Sequence, residues 1–231
     1  MLYETIFTRR AVRKFDLTPL ESSTLSDIEK FISDIKQLDG QNVRFKISSI
    51  NEVKDGSAPH YILAFYEDND SAYSNVGYVL EKVDLYIQSI GLGSIWLGMA
   101  KPSEKLNDYC IMLAFGKTDV PLRNDLQSFN RLSVDEISNL DNSVAATARL
   151  APSSVNSQPW KLQFEDGKVT VKYFGRGLMK LILKKKLNKI DMGIITRYIE
   201  VALEQEQKEI ISIMPQMVEK RFEIEIVYKS S

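Results

Sequence analysis

The order of apolar patterns along this chain is written twice. An amphipathic helix comes first, with Leu25, Ile28, Phe31, Ile32 and Ile35 at spacings of three and four. Two β-rich segments follow, the alternation Val43, Phe45, Ile47 and the run Tyr61 to Tyr66, the second apolar enough to be central in a sheet. From Ser74 to Ser89 the apolar positions are too dense for a surface helix, which predicts one buried on most sides and ended by Gly91-Leu-Gly93. A short apolar stretch, Ile95 to Met99, and another candidate central strand, Cys110 to Phe115, complete the set. After a polar stretch over 121 to 142 the order begins again. A helix is expected over Ile137 to Leu150, strands over Trp160 to Phe164 and Val169 to Tyr173, a helix from Ile190 to about Ile213, and a last strand over Phe222 to Tyr228. Landmarks recur at a nearly constant offset: 112 from Leu25 to Ile137, 116 from Gly77 to Gly193 and 112 from Lys117 to Lys229. The openings of the two long helices, Val76-Gly-Tyr-Val79 and Met192-Gly-Ile-Ile195, align on their glycines. These recurrences predict an α+β chain with an internal duplication; the alternative is an ordinary α+β domain whose elements happen to recur.

The remaining composition narrows the classes of function. With 44% of its 231 residues apolar and 26% charged, the chain has the material for a core and is not disordered. Thirty basic against thirty-one acidic residues leave a net charge of -1, which removes the broad attraction that nonspecific nucleic-acid or anionic-membrane binding needs. The longest nearly apolar run, Ile90 to Ala100, is about half the roughly 20 residues of a membrane span and is interrupted by three glycines. The single cysteine, Cys110, has no internal disulfide partner, and the N-terminal segment lacks the apolar stretch of a signal peptide, so the expected location is the cytoplasm.

Three segments carry chemistry. Thr8-Arg-Arg-Ala-Val-Arg-Lys-Phe15 places four cations within six residues; forked guanidinium hydrogen bonds suit phosphate oxygens, although taken alone the cluster reads better as a solvated basic stretch. Ala151-Pro-Ser-Ser-Val-Asn-Ser-Gln-Pro-Trp160 stops a helix at its first proline and presents hydroxyl and amide groups in an irregular loop that could read a planar, polar-edged ligand. Gly91-Leu-Gly-Ser-Ile-Trp-Leu-Gly98 would let backbone N–H groups approach a heterocycle with no side chain between, or would simply be a helix C-cap followed by tight packing.

Together the three segments resemble the flavin-dependent nitroreductase family, and the resemblance covers most of the chain. The family's Arg-Arg-Ser-x-Arg-x-Phe is matched by Arg9 to Phe15, its Gly-Leu-Gly-Ser-x-Trp-Leu-Gly by residues 91 to 98, and its Ala-Pro-Ser-x-x-Asn-x-Gln-Pro-Trp by residues 151 to 160. The resemblance implies a nitroreductase-like α+β fold with central, mostly antiparallel sheets flanked by helices. It also implies homodimers with FMN at the subunit interface. This chain departs from that pattern: the segment Lys36 to Phe45, where the Ala-Pro-Ser motif normally falls, lacks it, and the second half has neither arginine cluster nor Gly-Leu-Gly-Ser. The expectation is therefore a fused pseudo-dimer, monomeric, with half one over 1–120, a linker over 121–136, half two over 137–231 and one surviving flavin site.

By resemblance, Arg9 would bind the FMN phosphate, Arg10 and the backbone of Ala11 would line the ribityl and phosphate region, and Arg13 would sit at the flavin N1 and O2 edge, where positive charge stabilises the reduced ring. Backbone N–H groups at Leu92 and Gly93 would reach N5 and O4. Pro152, Ser153, Ser154 and Asn156 would cover the ring and its pyrimidine edge. Arg131 resembles the second phosphate arginine, with Arg123 as its rival, and Ala11 stands where the family has serine. The implied activity is FMN-dependent NAD(P)H oxidation with a small nitroaromatic, quinone or similar acceptor; the alternatives are a flavin-binding or storage protein with little turnover, and a relative that has lost flavin. No side-chain acid, base or metal ligand is expected. His60 reads as structural or exposed, Cys110 as core, Lys184-Lys-Lys186 as solvated, and Trp96 and Trp160 as core as readily as flavin neighbours.

Overall fold

A computed structural model describes residues 2–38, 43–66, 70–176, 183 and 186–230. The chain divides into two compact units. The first comprises residues 1–36, 42–68 and 79–126; the second comprises 37–41, 69–78 and 127–231.

The first unit is built on a four-stranded sheet of β1 (Val43–Ser49), β2 (His60–Tyr66), β3 (Gly93–Leu97) and β4 (Tyr109–Gly116), in the order β1-β2-β4-β3 with every neighbour antiparallel. The central pair is the most apolar in sequence, and Ile62, Leu63, Ala64, Ile111, Met112 and Leu113 are buried there. Helix α1 (Leu2–Thr8) precedes the sheet, and α2 (Ser22–Ser33) stacks Phe31 on Tyr86, ring centroids 4.0 Å apart. Tyr86 belongs to α3 (Asp70–Ser89), whose C-terminal half lies in this unit. Gly91 ends that helix at φ +81, with its N–H donating to Gln88 O and that of Leu92 to Ile87 O, a closure that favours glycine.

The second unit repeats the plan. Its sheet comprises β5 (Trp160–Glu165), β6 (Lys168–Tyr173), β7 (Lys208–Val218) and β8 (Arg221–Ser230), ordered β5-β6-β8-β7 and again antiparallel throughout. Strand order, strand sense and the long helix between the second and third strands all recur, here with α6 (Leu187–Gln205) in the place of α3. The short helices α4 (Val134–Ile137) and α5 (Ser143–Ala148) stand where one helix over Ile137 to Leu150 is expected. Two caps divide it. Ser133 and Glu136 form a reciprocal box at the start of α4, and Asn142 Oδ1 accepts the Ala145 N–H at 2.7 Å to start α5. The helix expected to run to about Ile213 ends at Gln205, and Lys208–Val218 is the edge strand β7.

Within the second unit, the first turns of α3 cross α6 at the two aligned glycines. A Cβ on Gly77 would collide with the carbonyl oxygen of Ile190 and lie 2.9 Å from its carbon, while one on Gly193 would collide with the carbonyl oxygen of Ser74 and lie 2.7 Å from both the Ser74 carbon and the Tyr78 nitrogen. The contact is self-complementary: Ser74, Gly77 and Tyr78 on one helix correspond to Ile190, Gly193 and Ile194 on the other, each pair 116 residues apart. The offset read from the sequence is thus the offset at which two backbones touch.

Candidate functional site

The first two motif segments meet in the first unit. Ala11 and Ser94 form a parallel bridge, and the Val12 N–H donates to the Ser94 carbonyl at 2.9 Å. Arg9, Arg10, Ala11 and Arg13 are therefore laid alongside the segment of Leu92 and Gly93. Gly93 allows the close approach: a Cβ there would stand 2.8 Å from Thr118 Cγ2 and 2.9 Å from Val12 Cγ1.

A buried polar network on α3 locks that junction. Asp84 Oδ2 accepts from Arg9 Nε at 2.6 Å, and Asp84 Oδ1 accepts the Ser94 hydroxyl in a short hydrogen bond and Gln88 Nε2 at 3.2 Å. Gln88 Nε2 also donates to Ser94 Oγ at 2.8 Å, and its Oε1 accepts the backbone N–H of Arg10 at 3.0 Å. Glu81, one turn earlier, lies 3.6 Å from Arg9 Nε and accepts from Trp96 Nε1 at 3.1 Å. One helical stripe, Glu81, Asp84 and Gln88, thus ties the arginine segment to Gly-Leu-Gly-Ser. All three side chains are buried, and Arg9 itself is only 4% exposed, so its ion pair with Asp84 is poorly screened by solvent. Sequence reasoning missed this stripe. Its signal was present as three polar residues at spacings of three and four inside a helix otherwise apolar on that side.

The remaining cations divide. Arg10 Nη1 donates to Pro121 O at 2.8 Å, and Arg10 Nε is buried with no hydrogen-bond partner among the described residues. Arg13 is exposed. Arg123 belongs with this group: its N–H donates to Thr8 O at 2.8 Å and its Nε to Arg9 O at 3.0 Å.

The third segment lies in the second unit and is held from two sides. Arg131 clasps it, donating through Nε to Ala151 O at 3.0 Å and through Nη1 to Phe129 O at 2.8 Å and Asn156 Oδ1 at 2.6 Å. Asn156 Nδ2 returns a bond to Asn130 O at 2.8 Å. Ser153 Oγ accepts the Gln158 N–H at 2.9 Å, and Gln158 Oε1 accepts that of Leu132 at 2.9 Å. From α6, Asp191 Oδ1 accepts both the N–H and the hydroxyl of Ser154, at 2.9 and 3.1 Å. Pro152 begins the loop. Val155, Asn156 and Gln158 all adopt left-handed backbone, φ 49, 56 and 44, a cost that these hydrogen bonds offset. Asp191 was also missed, although a carboxylate between Ile190 and Met192 in an apolar run is a visible anomaly.

Other candidates settle into structural roles. His60 is buried and accepts the Leu20 N–H on Nε2 at 2.9 Å, and burial lowers its pKa, so it stays neutral. Cys110 is core. Trp160 is fully buried in the second unit. Lys184-Lys-Lys186 falls largely outside the described residues. Among the described residues no cluster of His, Cys, Asp or Glu could hold a metal ion, and no helix is long and apolar enough to cross a membrane.

Several solved structures share this architecture. One described as a putative nitroreductase from Thermotoga maritima overlays 98% of this chain and 93% of its own, with a TM-score of 0.72 at 18% identity, a likeness of fold. Looser overlays include an FMN-dependent nitroreductase from Clostridium difficile, with a TM-score of 0.47 at 18% identity over 60% of this chain and 98% of its own. A third neighbour, described as a putative NADH dehydrogenase/NAD(P)H nitroreductase from Parabacteroides distasonis, has a TM-score of 0.45 at 13% identity over 59% of this chain and 95% of its own. No curated protein sequence matches the chain. The sequence profile of the family described as "Putative TM nitroreductase" matches residues 1–203 of the 231, and on that match, joined to the fold, the chain belongs to the nitroreductase family, a family of oxidoreductases.

Proposed function

We propose that the protein is an FMN-dependent NAD(P)H oxidoreductase that passes a hydride from NAD(P)H through FMN to a small acceptor such as a nitroaromatic or a quinone. The observation that carries this reading is the bridge between Ala11 and Ser94, which sets the arginine segment beside the Gly-Leu-Gly-Ser segment. The residues fit a flavin mononucleotide by their chemistry. Arg10 keeps a buried Nε without a partner among the described residues and Arg13 offers an exposed cation. The Leu92 N–H is already given to Ile87 O, which argues against its expected contact with the flavin ring. Asp84 accepts from Arg9 Nε at 2.6 Å, so Arg9 serves first to anchor the arginine segment.

The proposed binding set is Arg9, Arg10, Ala11, Arg13, Leu92 and Gly93 together with Pro152, Ser153, Ser154, Asn156 and Arg131, with one FMN per chain in a monomer. Bound FMN would supply the hydride-accepting N5. The chain's own task is electrostatic: Arg13 would offset negative charge on the pyrimidine edge, and the Ser153 to Asn156 loop would hold that edge in place. No side-chain acid or base is assigned, because the cofactor carries the reactivity.

The experiment is the visible spectrum. Purified protein, or apoprotein loaded with FMN, should be yellow with one flavin per chain and should bleach when NADH or NADPH is added under nitrogen. Protein that cannot be loaded refutes flavin dependence. Tight FMN binding without bleaching by either nucleotide refutes the enzymatic reading and leaves a flavin-binding protein.

A further inference from the structure

The 152–158 loop is bound to α6 through a carboxylate. Asp191 is 1% exposed, its Oδ1 takes two hydrogen bonds from Ser154, and its Oδ2 is buried with no partner among the described residues. An ionised oxygen in that position is unusually costly, and a neutral one is not. The loop it holds has three left-handed residues, and its tip residue Val155 is 73% exposed, so little apolar packing backs up the polar anchors.

We propose that Asp191 is a positioning residue that works as a proton-operated latch, gripping Ser154 when ionised and relaxing the 152–158 loop when it takes up a proton.

The chemistry follows from the two states of one group. A carboxylate accepts charge-assisted hydrogen bonds from the Ser154 N–H and Oγ–H; a carboxylic acid accepts them more weakly. Burial raises the Asp191 pKa to about 7, opposed by the Ser154 bonds, which places the change of grip near neutrality. Among the described residues, the charged groups on its helix and on the loop side have other partners, Arg176 among them, which donates to the carbonyls of Gln158 and Glu136. On its own helix Lys189 lies over the Tyr73 ring at 5.9 Å, and Arg197 is held by Tyr78 O and Glu200. From the loop side Arg131 is committed to Asn156 and to the carbonyls of Phe129 and Ala151. The other tether to α6 is neutral, Ser157 Oγ to Asn188 Oδ1 at 3.5 Å. Resting on the flavin reading above, the consequence is that flavin held by Ser153, Ser154 and Asn156 is retained better as pH rises through neutrality.

The test uses the full-length apoprotein labelled with ¹⁵N. The Ser154 amide resonance should titrate with a midpoint near 7, and its exchange protection, corrected for the intrinsic rate, should rise across that midpoint. Asp191→Asn, which keeps the shape, should flatten both, and Ser154→Ala should weaken the response while the loop stays folded. A Ser154 resonance that does not move between about pH 5.5 and 8.5, or one that titrates identically in Asp191→Asn, overturns the latch. Riboflavin, which has no phosphate to titrate, is the second probe. Its affinity should tighten about threefold from pH 6 to pH 8 in the wild type and stay constant in Asp191→Asn. Constant riboflavin affinity despite a titrating amide overturns the coupling to flavin. A protein that binds neither FMN nor riboflavin, with the amide still titrating, refutes the flavin reading and leaves the latch standing.

Discussion

Replacing Gly77 by alanine should destabilise the protein, although alanine is the better helix former. Gly77 lies in the interior of α3, where propensity alone predicts a gain of about 1 kcal/mol. Against that stands the backbone of α6: the new methyl would overlap the Ile190 carbonyl oxygen and lie 2.9 Å from its carbon and 3.1 Å from the Ile194 nitrogen. These are main-chain atoms of a helix, so no side chain can swing aside. The helices have to part by about an ångström at their closest approach, and overpacking of this kind typically costs about 1–3 kcal/mol, here toward the upper end because the obstacle is rigid. The expected net effect is a loss of about 1–2 kcal/mol, measured as a lower urea midpoint with an unchanged m-value. Gly193→Ala should behave alike, since its methyl would meet the Ser74 carbonyl in the mirrored arrangement. The two substitutions share one crossing, so a separation forced by the first makes room for part of the second, and the double variant should lose less than the sum of the singles. A Gly77→Ala protein that gains about 1 kcal/mol, or strictly additive losses, would refute the close crossing.

Further outcomes follow from the polar networks. Asp84→Ala should cost about 3–5 kcal/mol in denaturant unfolding, because it removes the nearest counter-charge of a buried Arg9 together with the acceptor of Ser94 and Gln88; a cost below about 1 kcal/mol would mean the network is not cohesive. Asp191 makes stability fall as pH rises from about 4 to about 7, since over that interval the native state keeps a proton that the unfolded chain has released. The steepest slope from this one group is about 1.4 kcal/mol per pH unit, and the difference between wild type and Asp191→Asn should isolate it. Lys220→Gly should stabilise by about 1 kcal/mol, because Glu219 and Lys220 both sit in left-handed backbone, φ 49 and 67, at the two-residue turn between β7 and β8; an unchanged thermal midpoint would argue against that turn. Tyr61→Phe should cost about 1–3 kcal/mol, since the phenol oxygen accepts the N–H groups of Ser57 and Ala58 at 2.6 and 2.8 Å and its loss orphans both.

What the sequence revealed and what it hid follow the range of the interactions. The recurring order of elements was legible because it is carried by local patterns, the 2-residue and 3.6-residue periods, and Gly77 and Gly193 stood out because each interrupts an apolar helix at the same place. Strand β7 was not legible. Nothing at Glu204 to Glu209 breaks a helix, and β7 is an edge strand with half-exposed Ile211, Met214 and Met217, so its conformation is set by pairing with β8 further along the chain. The split between α4 and α5 was encoded by caps at Ser133 and Asn142 that an apolar-period reading passes over. The motif segments could be found by resemblance, but what joins Arg9 to Ser94 could not, because Asp84 and Gln88 bond at once to nearby Ser94 and to Arg9 and Arg10, 75 and 78 residues away. Glu81, Asp84, Gln88 and Asp191 share one trait that a sequence does display: each is a polar side chain on the buried face of a long apolar helix. A surface helix scatters its charges outward, and a core helix excludes them unless tertiary partners compensate for the desolvation. Here such residues mark where a motif segment docks on a helix, and two of them, Asp84 and Asp191, reach the segments proposed to hold the flavin.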